Sequence, residues 1–227
     1  MGNLSDEAIA WVKKNQKQII EKFATVYPSA TGKPLSVFMA GSPGAGKTEF
    51  SKALLQILRP TIIRIDPDEI RNMLPQYTPG NAHVFQTAVS IAVEKIHDYA
   101  LHQHKDFLLD GTFSNLGKAS DNIHRSIAKD RNILIEYVFQ DPLIAWDFTV
   151  KREKVEGRNI PKGKFIEQLF AAHENVNIIK KEFGDRVSVD IVRRNIKTNT
   201  YELDPDVPSV DGRVLIGYTQ DELEKRL

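Results

Sequence analysis

The chain has 227 residues, enough for one α/β domain with a full core, and its 31 basic and 30 acidic residues nearly cancel. That balance provides no overall positive field, so we expect neither nucleic acid nor a membrane surface as a partner. Cysteine is absent, which excludes disulfides and thiolate metal sites, and because the sequence shows no signal-peptide pattern and no apolar run of roughly 20 residues, we expect a cytoplasmic protein.

The first predicted element is a helix over residues 6–26, where apolar side chains recur at mostly helical spacing. After a Pro/Gly/Ser/Thr break at 27–34, nearly continuous apolar runs, typical of strands buried on both faces, alternate with helical patterns. The predicted strands are 35–40, 61–65, 107–109, 132–139 and 187–192. The predicted helices are 47–58, 67–74, 82–102, 115–130, 142–156 and 164–182. This alternation predicts an α/β fold: a parallel sheet flanked by helices, with an N-terminal helix.

A phosphate-binding loop lies between the first predicted strand and the helix after it. Its eight residues are Gly41-Ser42-Pro43-Gly44-Ala45-Gly46-Lys47-Thr48. The glycines let backbone N–H groups turn inward around phosphate oxygens, and the helix N-terminus adds partial positive charge. Lys47 is expected to reach the outer phosphates, and the Thr48 hydroxyl is expected to hold magnesium. We therefore predict that residues 41–49, the last of which is Glu49, bind ATP and Mg²⁺.

Around this loop we divide the chain into an N-terminal helix and linker (1–34), a P-loop kinase-like domain (35–195) and a C-terminal extension (196–227) packed on or trailing the same domain. Within the extension, residues 204–217 are rich in Pro, Asp and Gly and predict a surface loop before a charged tail. The Asn-Lys-x-Asp and Asp-x-x-Gly motifs of GTPases are absent from the sequence. Among P-loop proteins, this absence favours a small-molecule kinase over a GTPase. Such a kinase needs an acceptor-activating carboxylate, a second acidic residue near the metal and mobile arginines.

Acidic residues follow the second and third predicted strands. Asp66 and Glu69 fit the N-cap and capping box of the next helix, which leaves Asp68 at the carboxyl end of a strand, where open α/β sheets bind their ligands. There Asp68 could take or orient the proton of an acceptor hydroxyl. Asp110 ends the third strand in an apolar-apolar-acidic pattern that often supports magnesium through water. A plain strand-end aspartate before a glycine turn is the alternative for Asp110.

Further polar residues lie on two predicted helices. The polar stripe of the 82–102 helix consists of His83, Thr87, Ser90, Glu94 and His97. This stripe is either a solvated face or the wall of a cleft. Arg152 and Arg158 lie near the end of the 142–156 helix, before a Gly/Pro segment, and predict a lid, since planar guanidinium groups bind phosphate oxygens in pairs. An exposed helix face is the alternative for either arginine.

The ordered set of these motifs resembles the zeta toxin family over roughly residues 35–195. The set comprises the P-loop, Ile-Asp-Pro-Asp at 65–68, Asp-Gly-Thr at 110–112 and the Arg152/Arg158 pair. Zeta toxins are P-loop kinases, similar in fold to chloramphenicol phosphotransferase, and characterised members phosphorylate a sugar hydroxyl of UDP-N-acetylglucosamine. Many are paired with a small helical antitoxin that blocks the nucleotide site. The resemblance therefore implies an antitoxin as a partner, and the 6–26 helix is interpreted as part of the fold or as an internal shield.

The resemblance also implies roles for individual residues. The implied catalytic and phosphate-binding residues are Asp68, Lys47, Arg152 and Arg158, with Asp68 as the base. The implied sugar-nucleotide residues are Glu94, Thr112 and Asn122. Two departures bear on the acceptor. The best-known members end the third strand in Glu where this chain has Asp110, and the segment joining the two arginines is short here.

We predict an ATP-dependent small-molecule kinase that phosphorylates a sugar hydroxyl of UDP-N-acetylglucosamine or a related UDP-sugar. One alternative is a P-loop kinase acting on another acceptor, such as a nucleotide cofactor or an antibiotic. A second alternative is a nucleotide-gated binding protein with little turnover. The neutral charge balance disfavours a nucleic-acid kinase.

Overall fold

The computed structural model describes residues 3–58, 61–157, 159–196, 198 and 200–227. Its helices are α1 (Leu4–Lys14), α2 (Gln16–Ile20), α3 (Lys47–Leu58), α4 (Pro67–Arg71), α5 (Gln86–His102), α6 (Leu116–Ala128), α7 (Pro142–Glu156), α8 (Lys162–Phe183) and α9 (Gln220–Arg226). Its strands are β1 (Leu35–Ala40), β2 (Ile63–Ile65), β3 (Phe107–Leu109), β4 (Asn132–Phe139), β5 (Ser188–Asn195) and β6 (Thr200–Asp204). A π-helical turn covers Glu21–Thr25, and 3₁₀ turns cover Pro79–Phe85 and Gly184–Arg186.

The strands form one sheet in the order β2-β3-β1-β4-β5-β6. Strands β1 to β5 run parallel, and β6 pairs antiparallel with β5. The five predicted strands and the α/β class are confirmed. Strand β6 was missed because its sequence, Thr-Tyr-Glu-Leu-Asp, has no apolar run, as expected of an edge strand that is largely exposed.

The parallel part of the sheet, β1 to β5, is covered on both faces, as its continuous apolar runs predicted. On one face, Phe38, Ile135 and Ile191 pack against apolar residues of α5, α6 and α8. On the other face, Val37 and Val138 pack against Phe50 of α3. Because the five parallel strands share one direction, the loops after β1, β2 and β3 meet at one edge of the sheet, where ligands bind in this class of fold.

The predicted N-terminal helix is divided into α1, α2 and the π-helical turn. Ala8, Val12 and Ile19 are buried in the main core, where this segment packs on α5. This packing supports its interpretation as part of the fold. At the other end of the chain, Val207 and Val210 are buried in the same core. No helix in the part of the chain that the structure describes is long and apolar enough to cross a membrane.

Candidate active site

The phosphate-binding loop joins β1 to α3 and packs closely on two neighbouring elements. Gly41 has a φ of 131°, and a Cβ added there would lie 2.2 Å from the carbonyl oxygen of Val138 in β4. Gly44 has a φ of 71°, and its Cβ would lie 2.0 Å from the carbonyl oxygen of Ala145 in α7. Only glycine fits both positions, so the loop backbone lies closer to β4 and α7 than any side chain would permit.

Lys47 is the first residue of α3 and turns back into this loop. Its Nζ donates hydrogen bonds to the carbonyl oxygens of Gly41 at 2.9 Å and Ser42 at 2.7 Å. Burial lowers the pKa of Lys47 to about 8, an effect that neighbouring carboxylates, Asp110 first, partly oppose. Of the other predicted ATP-binding residues, Ser42, Pro43 and Ala45 are buried, Gly46 and Thr48 are half-buried, and Glu49 is exposed. The loop thus holds its cation beside the position that phosphates occupy in P-loop proteins.

Asp68 lies in the first turn of α4, directly after β2. Asp66 is the N-cap of this helix, and its Oδ1 accepts a hydrogen bond from the N–H of Asp68 at 2.8 Å. The Asp68 carboxylate lies between two arginines: Oδ1 accepts from Arg71 Nη1, and Oδ2 accepts from Arg152 Nη2 at 3.2 Å. The structure therefore brings together Asp68 and Arg152, which are 84 positions apart in the chain.

The predicted capping box of α4 is wrong, because Glu69 has a different partner. Its Oε1 accepts a hydrogen bond from Arg64 Nη1 at 2.5 Å. Arg64, in the middle of β2, also pairs with Asp66 Oδ2 at 2.7 Å and with Asp110 Oδ2 at 2.6 Å. Sequence reasoning missed Arg64. The available signal was an arginine between two isoleucines of a strand buried on both faces, since a buried guanidinium requires carboxylate partners.

Asp110 follows β3 and is buried beside the P-loop. Its Oδ2 accepts the hydrogen bond from Arg64 and lies 3.4 Å from Ser51 Oγ in α3. Burial raises the pKa of Asp110, and the neighbouring charge of Asp66 adds to the rise, while Lys47 and Arg64 oppose it. Asp66, after β2, and Asp110, after β3, are therefore held in one ion-pair cluster that Arg64 bridges.

The residues implied for the sugar-nucleotide site fall into two places. Glu94 of α5 and Asn122 of α6 share a partner, because Arg125 Nη1 donates to Glu94 Oε2 at 3.0 Å and to Asn122 Oδ1 at 3.4 Å. Thr112 lies beside the P-loop, where its carbonyl oxygen accepts a hydrogen bond from the N–H of Gly41 at 3.1 Å. Arg125, the residue that joins the first pair, was missed by sequence reasoning.

The predicted polar stripe of α5 is wrong for His97. This residue is 1% exposed, and its ring packs edge-on against Phe107 with centroids 4.7 Å apart. Burial, with the positive charges of Arg125 and Arg131 nearby, lowers the pKa of His97 to about 3, so the imidazole is neutral in the core. Of the two interpretations of the stripe, a solvated face therefore fails at this position.

Only the first arginine of the predicted lid can be placed, because Arg158 lies outside the described residues. Helix α7 is capped by Gly157, which has a φ of 72° and donates its N–H to the carbonyl oxygen of Glu153 at 2.7 Å. Asn159 Nδ2 donates back to Glu153 Oε1 at 2.7 Å. Upstream of this turn, Arg152 reaches from α7 to Asp68, so α4 and α7 are joined across the site.

A parallel sheet with this strand order, carrying a lysine-bearing phosphate loop after β1, assigns the chain to the P-loop kinases, a class of nucleotide-dependent phosphotransferases. The family model for zeta toxins matches residues 17–205. The chain therefore belongs to the zeta toxin family.

Solved structures share this fold. The structure reported for the PezAT chromosomal toxin–antitoxin system of Streptococcus pneumoniae has a TM-score of 0.73 at 15% identity, over 99% of this chain and 96% of that chain. The AvrRxo1-ORF1:ORF2 complex with ATP has a TM-score of 0.60 at 11% identity, over 88% of this chain and 65% of that chain. The Pnkp1/Rnl/Hen1 RNA repair complex has a TM-score of 0.53 at 14% identity, over 81% of this chain and 51% of that chain. At these identities the likeness shows the fold alone. No curated protein matches the sequence.

Proposed function

We propose that the protein transfers the γ-phosphate of ATP to a sugar hydroxyl of UDP-N-acetylglucosamine or a related UDP-sugar. The observation that carries the proposal is the contact between Asp68 and Arg152 beside the P-loop. A carboxylate that can orient a hydroxyl lies 3.2 Å from a guanidinium that can bind the transferred phosphate. Membership of the zeta toxin family supports the sugar-nucleotide acceptor.

The loop fits a nucleoside triphosphate. Gly41 and Gly44 let the loop backbone pack directly on β4 and α7, and the two carbonyl contacts of Lys47 are the kind that phosphate oxygens would replace. Mg²⁺ bound with the nucleotide neutralises charge that develops on the phosphates. The Thr48 hydroxyl would hold the ion directly, and Asp110 would support it through water.

The chain's own residues would then divide the work of phosphoryl transfer. Asp68 would orient the acceptor hydroxyl and accept its proton at Oδ2. Lys47 and Arg152, joined by the predicted Arg158, would bind the phosphate oxygens. The sugar nucleotide would contact Glu94, Thr112 and Asn122, and Glu49 would complete the nucleotide site. Phosphoryl transfer needs mainly positioning and charge stabilisation, and this set would supply both.

We also propose a small helical antitoxin as a protein partner, and no nucleic-acid partner. The solved relative from Streptococcus pneumoniae comes from a toxin–antitoxin system, which supports the first part. The nearly equal numbers of basic and acidic residues support the second. A pull-down with the product of the adjacent gene tests the antitoxin, and the absence of a stable complex would contradict it.

The experiment that tests the catalytic proposal incubates purified protein with ATP, magnesium and UDP-N-acetylglucosamine, and follows the product by mass spectrometry. Asp68→Asn should lower the rate on the order of 10²–10⁴-fold, since an amide is a poor proton acceptor. Asp185→Asn is the control, because Asp185 is exposed in the 3₁₀ turn before β5, at the edge of the sheet opposite to the P-loop. Since Asp68 also neutralises the buried Arg71, Asp68→Asn should melt at a lower temperature, and activity is measured well below it.

Two outcomes contradict different parts of this proposal. If the Asp68→Asn enzyme is active, the proposed role of Asp68 as the base is wrong. If the wild-type enzyme phosphorylates another compound in a metabolite extract but no UDP-sugar, the proposed acceptor is wrong and the proposed phosphotransferase activity stands.

A further inference from the structure

Arg71, the last residue of α4, is 2% exposed although its helix begins at the ligand-binding edge of the sheet. Its Nη1 donates to Asp68 Oδ1, and its Nη2 donates to Gln86 Oε1 at 3.2 Å. Its Nε meets no hydrogen-bond partner among the described residues. Removing a guanidinium from water is costly unless a carboxylate meets it, and here that carboxylate is the proposed base, Asp68.

The two oxygens of Asp68 therefore have different surroundings. Oδ1 faces the buried Arg71, whereas Oδ2 faces Arg152, whose side chain is 44% exposed. The Asp68 side chain is 33% exposed, so it lies at the boundary between the core and the site. A carboxylate with one oxygen held by a buried partner cannot turn freely about its last bond. The contact at Oδ1 consequently restricts the direction in which Oδ2 points.

We propose that Arg71 is a positioning residue for phosphoryl transfer: by holding Oδ1 of Asp68, it aims Oδ2 at the acceptor hydroxyl. The inference rests on the proposed function and deepens it. Arg71 also contacts Gln86, the first residue of α5, and α5 carries Glu94 two turns further on. One guanidinium thus ties the base to the helix that carries a predicted acceptor-binding residue. The planar guanidinium of Arg71 is essential, because the single ammonium of a lysine cannot donate to both Asp68 and Gln86 in the same geometry.

The test compares Arg71→Lys with Arg131→Lys. Arg131 is the matched control because it is also buried but lies at the amino ends of the strands, where it donates to Ser36 Oγ at 2.6 Å. Arg71→Lys should lower kcat by about 10–100-fold while the KM for ATP changes by less than about threefold, because a misdirected base slows transfer without weakening nucleotide binding. Arg131→Lys should lose stability and keep kcat. Equal kcat in the two variants, or a loss in Arg71→Lys confined to KM, would overturn the inference.

A double-mutant cycle separates positioning from folding. If Arg71 acts through Asp68, then adding Arg71→Lys to Asp68→Asn should lower the residual kcat by less than about twofold. If Arg71→Lys lowers kcat by the same factor in the Asp68→Asn background as in the wild type, Arg71 does not act through Asp68.

A third measurement needs no acceptor. In crystal structures of the wild type and Arg71→Lys, the Asp68 carboxylate should occupy one rotamer in the first and turn or spread over several in the second. An unchanged Asp68 in the variant overturns the inference whatever the acceptor. If the wild type transfers phosphate to no UDP-sugar, the proposed acceptor fails, and this comparison still decides the role of Arg71.

Discussion

Glu136 of β4 gives a stability prediction that is independent of catalysis. It is 2% exposed, faces Asp190 of β5 in the strand register, and its Oε2 is buried without a hydrogen-bond partner in the described part of the chain. Burial raises the pKa of Glu136 to about 8, and the neighbouring charge of Asp190 adds to the rise. The folded protein therefore keeps this carboxyl protonated at neutral pH.

The size and sign of the effect follow from proton linkage. In the unfolded chain Glu136 ionises near its ordinary pKa of 4.5, and in the folded protein near 8. Between these values the folded state binds more protons, so the free energy of unfolding falls as pH rises. The stability that is present below pH 4.5 is lost by pH 8, a total of about 5 kcal/mol at roughly 1.4 kcal/mol per pH unit. Against a domain stability of about 5–15 kcal/mol, this loss is large.

Glu136→Gln removes the titrating group and should remove this pH dependence. Urea unfolding of both proteins between pH 5 and pH 8 measures this dependence. The free energy of unfolding of the variant, relative to that of the wild type, should rise by about 4 kcal/mol from pH 5 to pH 8. Glu174→Gln, at an exposed glutamate of α8, is the control and should follow the wild type. A difference between Glu136→Gln and wild type that stays constant with pH would refute the reasoning, since a packing change alone does not titrate.

Three further predictions concern the site. Lys47→Ala should abolish phosphotransfer and weaken ATP binding, because the cation that follows the moving phosphate is lost; turnover near the wild-type rate would remove the P-loop assignment. Arg152→Ala should lower kcat more than it raises the KM for ATP, and Arg152→Lys should restore little, since an ammonium lacks the paired donors; an unchanged kcat would make Arg152 a surface residue. Gly44→Ala should cost about 1–3 kcal/mol in thermal or urea unfolding, because its Cβ meets a backbone oxygen, and an equally stable variant would contradict that close approach.

The sequence predicted the fold well because its buried strands are chemically distinct. Continuous apolar runs such as 132–139 occur where a strand is covered on both faces, and the structure has β4 at those bounds. The same reasoning could not find β6, whose stability comes from pairing with β5 and not from its own apolar side chains. Local patterns also failed inside α5, where His97 looks polar in sequence and is packed between aromatic rings.

The site was predicted less completely, for a physical reason. Lys47 and Asp68 could be found from the sequence, because a phosphate loop and a strand end restrict them to known positions. Arg64, Arg71 and Arg125 could not be placed in this way. Each has at least one partner brought in by folding, such as Asp110 for Arg64, which lies 46 positions away in the chain. Motifs thus identify groups that touch a ligand, whereas the groups that hold them in place depend on tertiary contacts.

The two edges of the sheet bear on how the protein behaves at high concentration. Unpaired strand edges are templates for intermolecular β-pairing, and proteins shorten them or charge them. Here β2 has three residues, and β6 carries Glu202 and Asp204. Arg213 crosses to Asp204 at 3.0 Å and receives a hydrogen bond from Arg193 at its carbonyl oxygen, so a loop from the C-terminal region is fastened beside β6. Both edges of the sheet thus carry features that disfavour edge-to-edge pairing between molecules.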